Sequence, residues 1–315
     1  VKVPELPEVQ TVVNGIKNEL IGKKIYQRVH PTLIEKESYV AGIDGVLNAV
    51  IVEGKPVGQS IIQGEGAGAA ATTSALISDI SSILECLSLE GIEGKKSKIV
   101  RYGINIIGNP RRLTQIQAFK DGCFEVQDLH SQKIIEDLPL NEHTKVLDYC
   151  AGAGGKILSI ACSLKGNGKF YIHDIDERKL KEADLRAKRA GVKFKRLEGE
   201  NLPKYCRSFD CVIVDVPCSG SGAWRRNPQQ KWRITPRSLN EILTRQTIIL
   251  DEAKNLIKKN GYMFYITCSL LKIENEEVIH KFLIENKHFR LFNKKNVTID
   301  NCGDGFFCAV LQKKN

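Results

Sequence analysis

From about residue 144 onward the chain alternates short apolar runs with segments of helical period, and this alternation restricts the possible folds more than any other feature. Lys145 to Tyr149, Lys169 to His173, Phe194 to Leu197, Cys211 to Val214 and Tyr262 to Thr267 read as strands. Gly155 to about Leu164 reads as a helix. A second helix starts at Asp176, carries Leu180, Ala183, Ala187 and Ala190 on one face, and is ended by Gly191. The helix before the last of these strands places Leu243, Leu250, Ala253 and Ile257 at core spacing. Strands this short and this apolar must be covered on both faces, which predicts an α/β fold with a doubly wound, mostly parallel sheet. Ligands of such sheets sit at the carboxyl ends of the strands.

The preceding residues have a different character. Val12, Val13, Ile16 and Leu20 fall at helical spacing within 1–29. Val46 to Val52 and Val57 to Ile62 read as strands, followed by a Gly/Ala-rich turn and a Ser/Ile-rich helix. Residues 86–107 read as a basic connector punctuated by glycine, with Asn109-Pro110 just beyond it.

Charge follows the same division. The chain has 315 residues and a net charge of +10, yet residues 1–96 carry net −3 and the remainder +13. A basic surplus confined to the last two thirds favours a polyanionic partner there. The apolar share of 42% is enough for a buried core. No run of about 20 apolar residues lacks a polar interruption, so no membrane span is expected. No secretion signal opens the sequence, although it begins with Val rather than Met. The ten cysteines match neither a secreted disulfide framework nor a zinc ribbon, so no metal is expected and a cytoplasmic location is. Most of these thiols should be small buried apolar groups.

The first strand of the regular region runs into Asp148-Tyr-Cys-Ala-Gly152-Ala-Gly154-Gly155-Lys156. Glycines let backbone approach a ligand, and the following helix presents free amide hydrogens. Asp174 lies 22 residues past Gly152 at the end of the next strand, where a carboxylate can accept both ribose hydroxyls of a nucleoside cofactor. No GK[ST] follows at P-loop spacing. On these residues alone NAD remains open, as does a plain strand–helix turn.

Two further strand ends carry thiols. Cys211-Val-Ile-Val-Asp215 leads into Val216-Pro217-Cys218-Ser219-Gly220, and Tyr262 to Ile266 ends in Thr267-Cys268-Ser269. Neighbouring strands would deliver Asp215, Cys218 and Cys268 to the edge that holds the glycine turn. Carbon 5 of cytosine is a poor nucleophile until a thiolate adds to carbon 6 and makes it enamine-like. An acid near ring nitrogen 3 would stabilise that adduct, and a second thiol could help remove the carbon 5 proton and release the enzyme. An ordinary Cys ionises near ~8.5, so the attacking thiol needs a basic setting, for which Lys156 and nearby Arg residues are candidates. A single Cys at a strand end is usually a buried small residue; the pair, beside Asp215, is what favours chemistry.

At these residues, from about 100 to 315, the chain resembles the RsmB-like Nop/Sun RNA cytosine-5 methyltransferases. Six ordered blocks carry the resemblance: GCFEVQDLHSQ (122–132), VLDYCAGAGGK (146–156), YIHDIDERKL (171–180), VDVPCSGSGAWRRNPQQKW (214–232), YITCSLLKIEN (265–275) and GDGFFCAVL (303–311). It implies a class I, Rossmann-like, seven-stranded catalytic domain that uses S-adenosylmethionine on RNA, specifically small-subunit ribosomal RNA. It further implies Cys268 as nucleophile, Cys218 as the thiol for product release, and Asp215 orienting the cytosine beside the cofactor. Cys150, Ala151, Gly152, Ala153, Gly154, Gly155 and Lys156 would hold the methionine part of the cofactor and Asp174 its ribose. Glu200 stands near the adenine where the family more often has Asp, and Ala153 where Pro is common. Arg225, Arg226, Lys231, Trp232 and Arg233 would face RNA.

The first 85 residues do not resemble that family, whose RsmB members commonly carry a NusB-like helical domain there. Val3 to Ile25 resembles the start of a formamidopyrimidine-DNA glycosylase, but Pro4 is internal and its nitrogen is an amide. Residues 30–84 resemble part of the homoserine dehydrogenase catalytic domain, through GVLNAVIVEGKPVG (45–58) and GEGAGAAATTSAL (64–76). Both read as non-catalytic remnants. The expected divisions are therefore 1–29, 30–85, a connector and subdomain over 86–143, and the catalytic domain over 144–315, behind a small mosaic α+β N-terminal region. The competing function is a catalytically idle RNA-binding remnant. DNA cytosine methylation is a further alternative that Cys268 disfavours, because those enzymes typically attack with a Pro-Cys thiol.

Overall fold

The computed structural model describes 47–54, 58–65, 83–84, 87–88 and 92–314 apart from 108–109, 137, 142 and 302. The chain divides into two compact units, Val1–Ser74 and Ala75–Asn315. In the first, β1 (Leu47–Gly54) and β2 (Gly58–Glu65) pair antiparallel from Leu47↔Glu65 to Gly54↔Gly58. The helix expected over 12–20 and most of the turn and helix expected after β2 lie outside the described residues.

In the second unit the expected connector contains an antiparallel pair, β3 (Glu93–Lys96) with β4 (Ile104–Ile107). It packs over a small core of Leu87, Ile92, Leu113, Ile116 and Ala118. The sequence hides this because each strand is four residues long and none of its residues is fully buried.

The remaining strands form one seven-stranded sheet. They are β5 (Lys145–Asp148), β6 (Lys169–Ile172), β7 (Phe194–Arg196), β8 (Phe209–Asp215), β9 (Ile257–Thr267), β10 (Phe289–Val297) and β11 (Phe306–Lys313), in the order β10-β11-β9-β8-β5-β6-β7. Neighbours from β7 to β9 pair parallel. Only β11 is reversed, antiparallel to both β9 and β10. This is the doubly wound, class I Rossmann-like arrangement. Successive residues of the central strands feed two cores: Val146, Cys211, Ile213 and Phe264 lie in one, and Leu147, Val212, Val214 and Met263 in the other. All eight are 0% exposed, as parallel strands roofed on both sides require.

Local chemistry sets the helix limits. Asp176 caps the helix Glu177–Arg189, its carboxylate accepting from the Arg178 amide at 3.0 Å, and Gly191 beyond it has φ +69°. Thr235 and Ser238 form a capping box at the start of Pro236–Leu256. On that long helix Leu250, Ala253, Leu256 and Gln246 are buried. Ile257, expected on the helix, instead begins β9, fully buried.

Candidate active site

The parallel register aligns the carboxyl ends of β5, β6, β8 and β9: Asp148 pairs with Ile172 and Ile213, and Asp215 with Ile266. The residues following these ends therefore share one edge of the sheet. Ala151 donates its amide to the His173 carbonyl at 3.0 Å, and Val216 donates to Ile266 at 3.0 Å, so the turns continue the strand pairing.

In the glycine turn, Gly152 and Gly154 have φ of +53° and +77°, a left-handed conformation that favours glycine. A Cβ on Gly154 would come within 3.1 Å of Ala183 Cβ, whereas around Gly152 the space is open. Gly152 N donates to Asp174 Oδ2 at 2.8 Å, and Asp176 N donates to Asp174 Oδ1 at 2.8 Å. Each carboxylate oxygen retains accepting capacity. Glu200 is exposed, on the short turn Gly199–Tyr205 after β7.

Lys156, in the first turn of the helix Gly155–Ser163, is buried and forms an ion pair with Asp215. Burial, the largest single effect, opposes its charge, but Asp215 together with Asp148 and Cys268 outweighs it and holds the ammonium above its ordinary value. Asp148 is 1% exposed, and its Oδ1 is buried without a hydrogen-bond partner. Burial, then repulsion from Asp215, pushes its carboxyl up to about 8. Burial and the acids Asp148, Asp215 and Asp174 likewise raise the Cys150 thiol, which disfavours a reactive thiolate there.

Cys218 and Cys268 meet with their sulfurs 3.4 Å apart. Their hydrogen bond moves them in opposite directions. Cys268 is lowered, first because Cys218 donates to it, with Lys156 also favouring the thiolate against burial and Asp215. Cys218 is raised well above the ordinary thiol, first by that bond to Cys268 and then by burial.

A buried polar network, which the sequence did not reveal, lies beneath the thiols. Glu274, 0% exposed, accepts at Oε1 from the Ser219 amide at 2.7 Å, and at Oε2 from the hydroxyls of Ser219 and Ser269. Gln246 donates to the Pro217 carbonyl at 3.0 Å and approaches Glu274 Oε1 at 3.4 Å. The usable signal was a polar Gln and Glu at positions of core spacing.

Gly222 donates to the Cys268 carbonyl at 2.8 Å, and a Cβ on it would lie 2.2 Å from the Gly305 carbonyl oxygen. Only glycine allows these turns to meet so closely. Arg225 and Arg226, expected to face RNA, are both drawn to the buried Asp304, and Arg225 also donates to the Asp300 carbonyl at 2.9 Å. Lys231, Trp232 and Arg233 are exposed on the helix Gln229–Arg233, Trp232 at 82%. Among the described residues no helix is long and apolar enough to cross a membrane, and no group of three or more His, Cys, Asp or Glu could hold a metal ion.

Comparison with known proteins assigns this site a lineage. A family model described as 16S rRNA methyltransferase RsmB/F matches residues 136–312, and one described as homoserine dehydrogenase matches 8–81. Ribosomal RNA small subunit methyltransferase B of Serratia proteamaculans is 30% identical over 244 residues, 73% of this chain and 56% of that protein. Its Escherichia coli counterpart is 33% identical over 217 residues, 65% and 50% respectively. The chain thus spans about half the length of the curated relatives it matches. Among solved structures, PH0851 aligns with a TM-score of 0.69 at 30% identity, covering 74% of this chain and 56% of that one. NSun6 from Pyrococcus horikoshii with SFG aligns at 0.57 and 25% identity, covering 64% and 56%.

Proposed function

The chain belongs to the RsmB/F family of 16S rRNA methyltransferases, and from that premise we propose that it transfers a methyl group from S-adenosylmethionine to carbon 5 of a cytosine in small-subunit ribosomal RNA. The observation that carries the reading is the 3.4 Å approach of Cys218 and Cys268 beside the Lys156–Asp215 pair. Two thiols at adjoining strand ends, one stabilised as an acceptor by the other, suit a reaction needing both a nucleophile and a second proton-handling group.

The residues of the glycine turn fit the cofactor. The open space at Gly152, the helix start at Gly155 and the accepting capacity of Asp174 offer a backbone cradle, amide donors and a ribose acceptor. Cys150, Ala151, Ala153, Gly154 and Lys156 complete the turn, and Glu200 is the candidate beyond β7 on the adenine side. When bound, S-adenosylmethionine supplies an electrophilic methyl group on its sulfonium.

Cys268 attacks carbon 6 as the thiolate, forming a carbon–sulfur bond and making carbon 5 nucleophilic. Asp215 is the group offered to ring nitrogen 3: nitrogen 3 takes a proton from solvent as carbon 6 is attacked, and its N–H then donates to the carboxylate that Lys156 holds in place. In the free enzyme Cys218 keeps its proton and donates a hydrogen bond that stabilises the Cys268 thiolate. After methyl transfer, with Cys268 bound to carbon 6 and no longer an acceptor, Cys218 loses its own proton to solvent and as the thiolate takes the carbon 5 proton. The electron pair left behind breaks the carbon 6–sulfur bond, expels Cys268 as thiolate and restores the aromatic ring. Lys231, Trp232 and Arg233 are the residues proposed to meet RNA, by phosphate pairing and base stacking.

Labelled methyl transfer to total RNA tests the proposal. Cys268→Ala abolishes transfer, whereas Cys218→Ala accumulates a covalent protein–RNA adduct. Normal methylation by both variants would remove the two-thiol mechanism.

A further inference from the structure

Each thiol is followed directly by a serine, and both serines bond to the same side chain. Ser219 follows Cys218, and Ser269 follows Cys268. Glu274 receives the Ser219 amide and hydroxyl and the Ser269 hydroxyl, and the two hydroxyl oxygens lie 3.2 Å apart. Ser221 extends the joint, its Oγ lying 3.1 Å from Ser269 Oγ and accepting the Leu270 amide at 2.8 Å. The remaining anchors fix Glu274 itself. Tyr265 Oη lies within hydrogen-bond reach of the Glu274 carbonyl and of Gln246 Oε1. Asn275 donates to the Ser269 carbonyl at 2.8 Å and accepts from Thr267 at 2.6 Å. Ser219, Ser221, Ser269, Glu274 and Asn275 are all 6% exposed or less.

A carboxylate held this far from water, with no cation against it among the described residues, depends on its donors, and those donors depend on it. Apart from this joint the loops meet through the Gly222 amide on the Cys268 carbonyl and the Leu270 amide on Ser221 Oγ, both of which hold the first loop beyond Cys218 and leave Cys218 itself free to turn away from Cys268. Nothing in the Cys218–Cys268 contact alone prevents that. We propose that Glu274 is a positioning residue: by bonding the serine behind each thiol it sets the spacing of the two sulfurs, so that one can donate to the other and both can reach a single pyrimidine ring.

This rests on the two-thiol reading above. Among the described residues, the charged and titratable groups facing the thiols are Lys156 from the helix Gly155–Ser163, Asp215 from β8, Tyr265 from β9 and Glu274 itself. Changing Glu274 directly removes one of them, whereas changing the serines leaves all four in place.

The test uses the full chain as wild type, Glu274→Gln, and the double variant Ser219→Ala/Ser269→Ala, with circular dichroism to establish folding. Two quantities are read: the pH midpoint of Cys268 alkylation by iodoacetamide without RNA, followed by mass spectrometry, and the rate of labelled methyl transfer. In the double variant the alkylation midpoint should rise toward the free-thiol value near ~8.5, and transfer should fall by about 10²-fold, the cost of a small misplacement. Glu274→Gln, which retains one accepting oxygen, should show the same change to a smaller extent. The double variant decides if Glu274→Gln fails to fold. A folded double variant with the wild-type midpoint overturns the proposal whatever its transfer rate, and so does a shifted midpoint with unchanged transfer. A wild-type chain that methylates no RNA, or a Cys268→Ala variant that still does, breaks the functional reading instead; the alkylation midpoints then decide the positioning role alone.

Discussion

The loops after β8 and β9 occupy equivalent places, at the ends of adjacent parallel strands, and each presents a cysteine followed by a serine. Their electrostatics differ. The Cys268 thiol is lowered and the Cys218 thiol raised, because a hydrogen shared between two sulfurs 3.4 Å apart can be held by only one of them. Lys156 tilts the pair by favouring negative charge on Cys268. Position along the sheet edge brings a residue to the site, while its neighbours select the role it can play. The same contrast separates two acids: Asp148 ends β5 fully buried, with Oδ1 unpartnered, whereas Asp215 ends β8 partly exposed and paired with Lys156.

The most severe test of this asymmetry is to exchange the fates of the two thiols. Cys268→Ala should reduce methyl transfer by about 10⁴-fold or more, the scale of removing a covalent nucleophile. Cys218→Ala should slow turnover by about 10²-fold or more, typical of losing a proton-transfer group, while leaving a protein–RNA adduct visible on denaturing gels. Equal losses without an adduct in either variant would erase the proposed distinction between the loops.

Alkylation sharpens the contrast without RNA. In the wild type Cys268 should react with iodoacetamide at a lower pH than Cys218, and Lys156→Met should move the Cys268 profile upward, since it removes the cation that favours the thiolate. Identical profiles for the two thiols would contradict their assigned roles.

The contrast between the acids is a matter of stability. The folded-state carboxyl of Asp148 is raised from 3.8 to about 8, so folding favours its protonated form. The unfolded chain gives up this proton from about pH 4 upward, whereas the folded protein keeps it until about pH 8. Asp148 should therefore cost the fold nothing below pH 4 and progressively more up to pH 8. Asp148→Asn should flatten this decline, by an amount on the order of a few kcal/mol, in chemical denaturation at pH 5 and pH 9. A wild-type decline that persists unchanged in the variant would reject the assignment.

The smallest expected effect lies outside the thiol edge. Trp232→Ala should weaken RNA binding by about 1 kcal/mol, measured by filter binding at fixed salt, with the Cys268 alkylation profile unchanged. A shift in that profile would mean that the exposed helix and the thiol edge are coupled.

The catalytic half was legible where burial imposes a pattern. β5 and β8 are covered on both faces, so their apolar runs announce them, and Asp176 and Gly191 mark a helix by local hydrogen bonding and backbone conformation. β10 offered no such pattern, since all but its end residues are partly or fully exposed and its place comes from pairing with β11. The β3–β4 pair was read as connector for the same reason. Ile257 fits a helical period and a strand equally well, and its membership of β9 follows from pairing with Phe209.

Chain order and residue type alone were enough to predict that a glycine turn, an acid and two cysteines follow strands of one parallel sheet, because covalent continuity and the parallel rule bring those strand ends to one edge. They could not predict the 3.4 Å sulfur contact, the buried Glu274 joining both loops, or the capture of Arg225 and Arg226 by Asp304. Each of these depends on side chains from segments distant in sequence, and their energies exist only once packing has excluded water and set the donors opposite the acceptors.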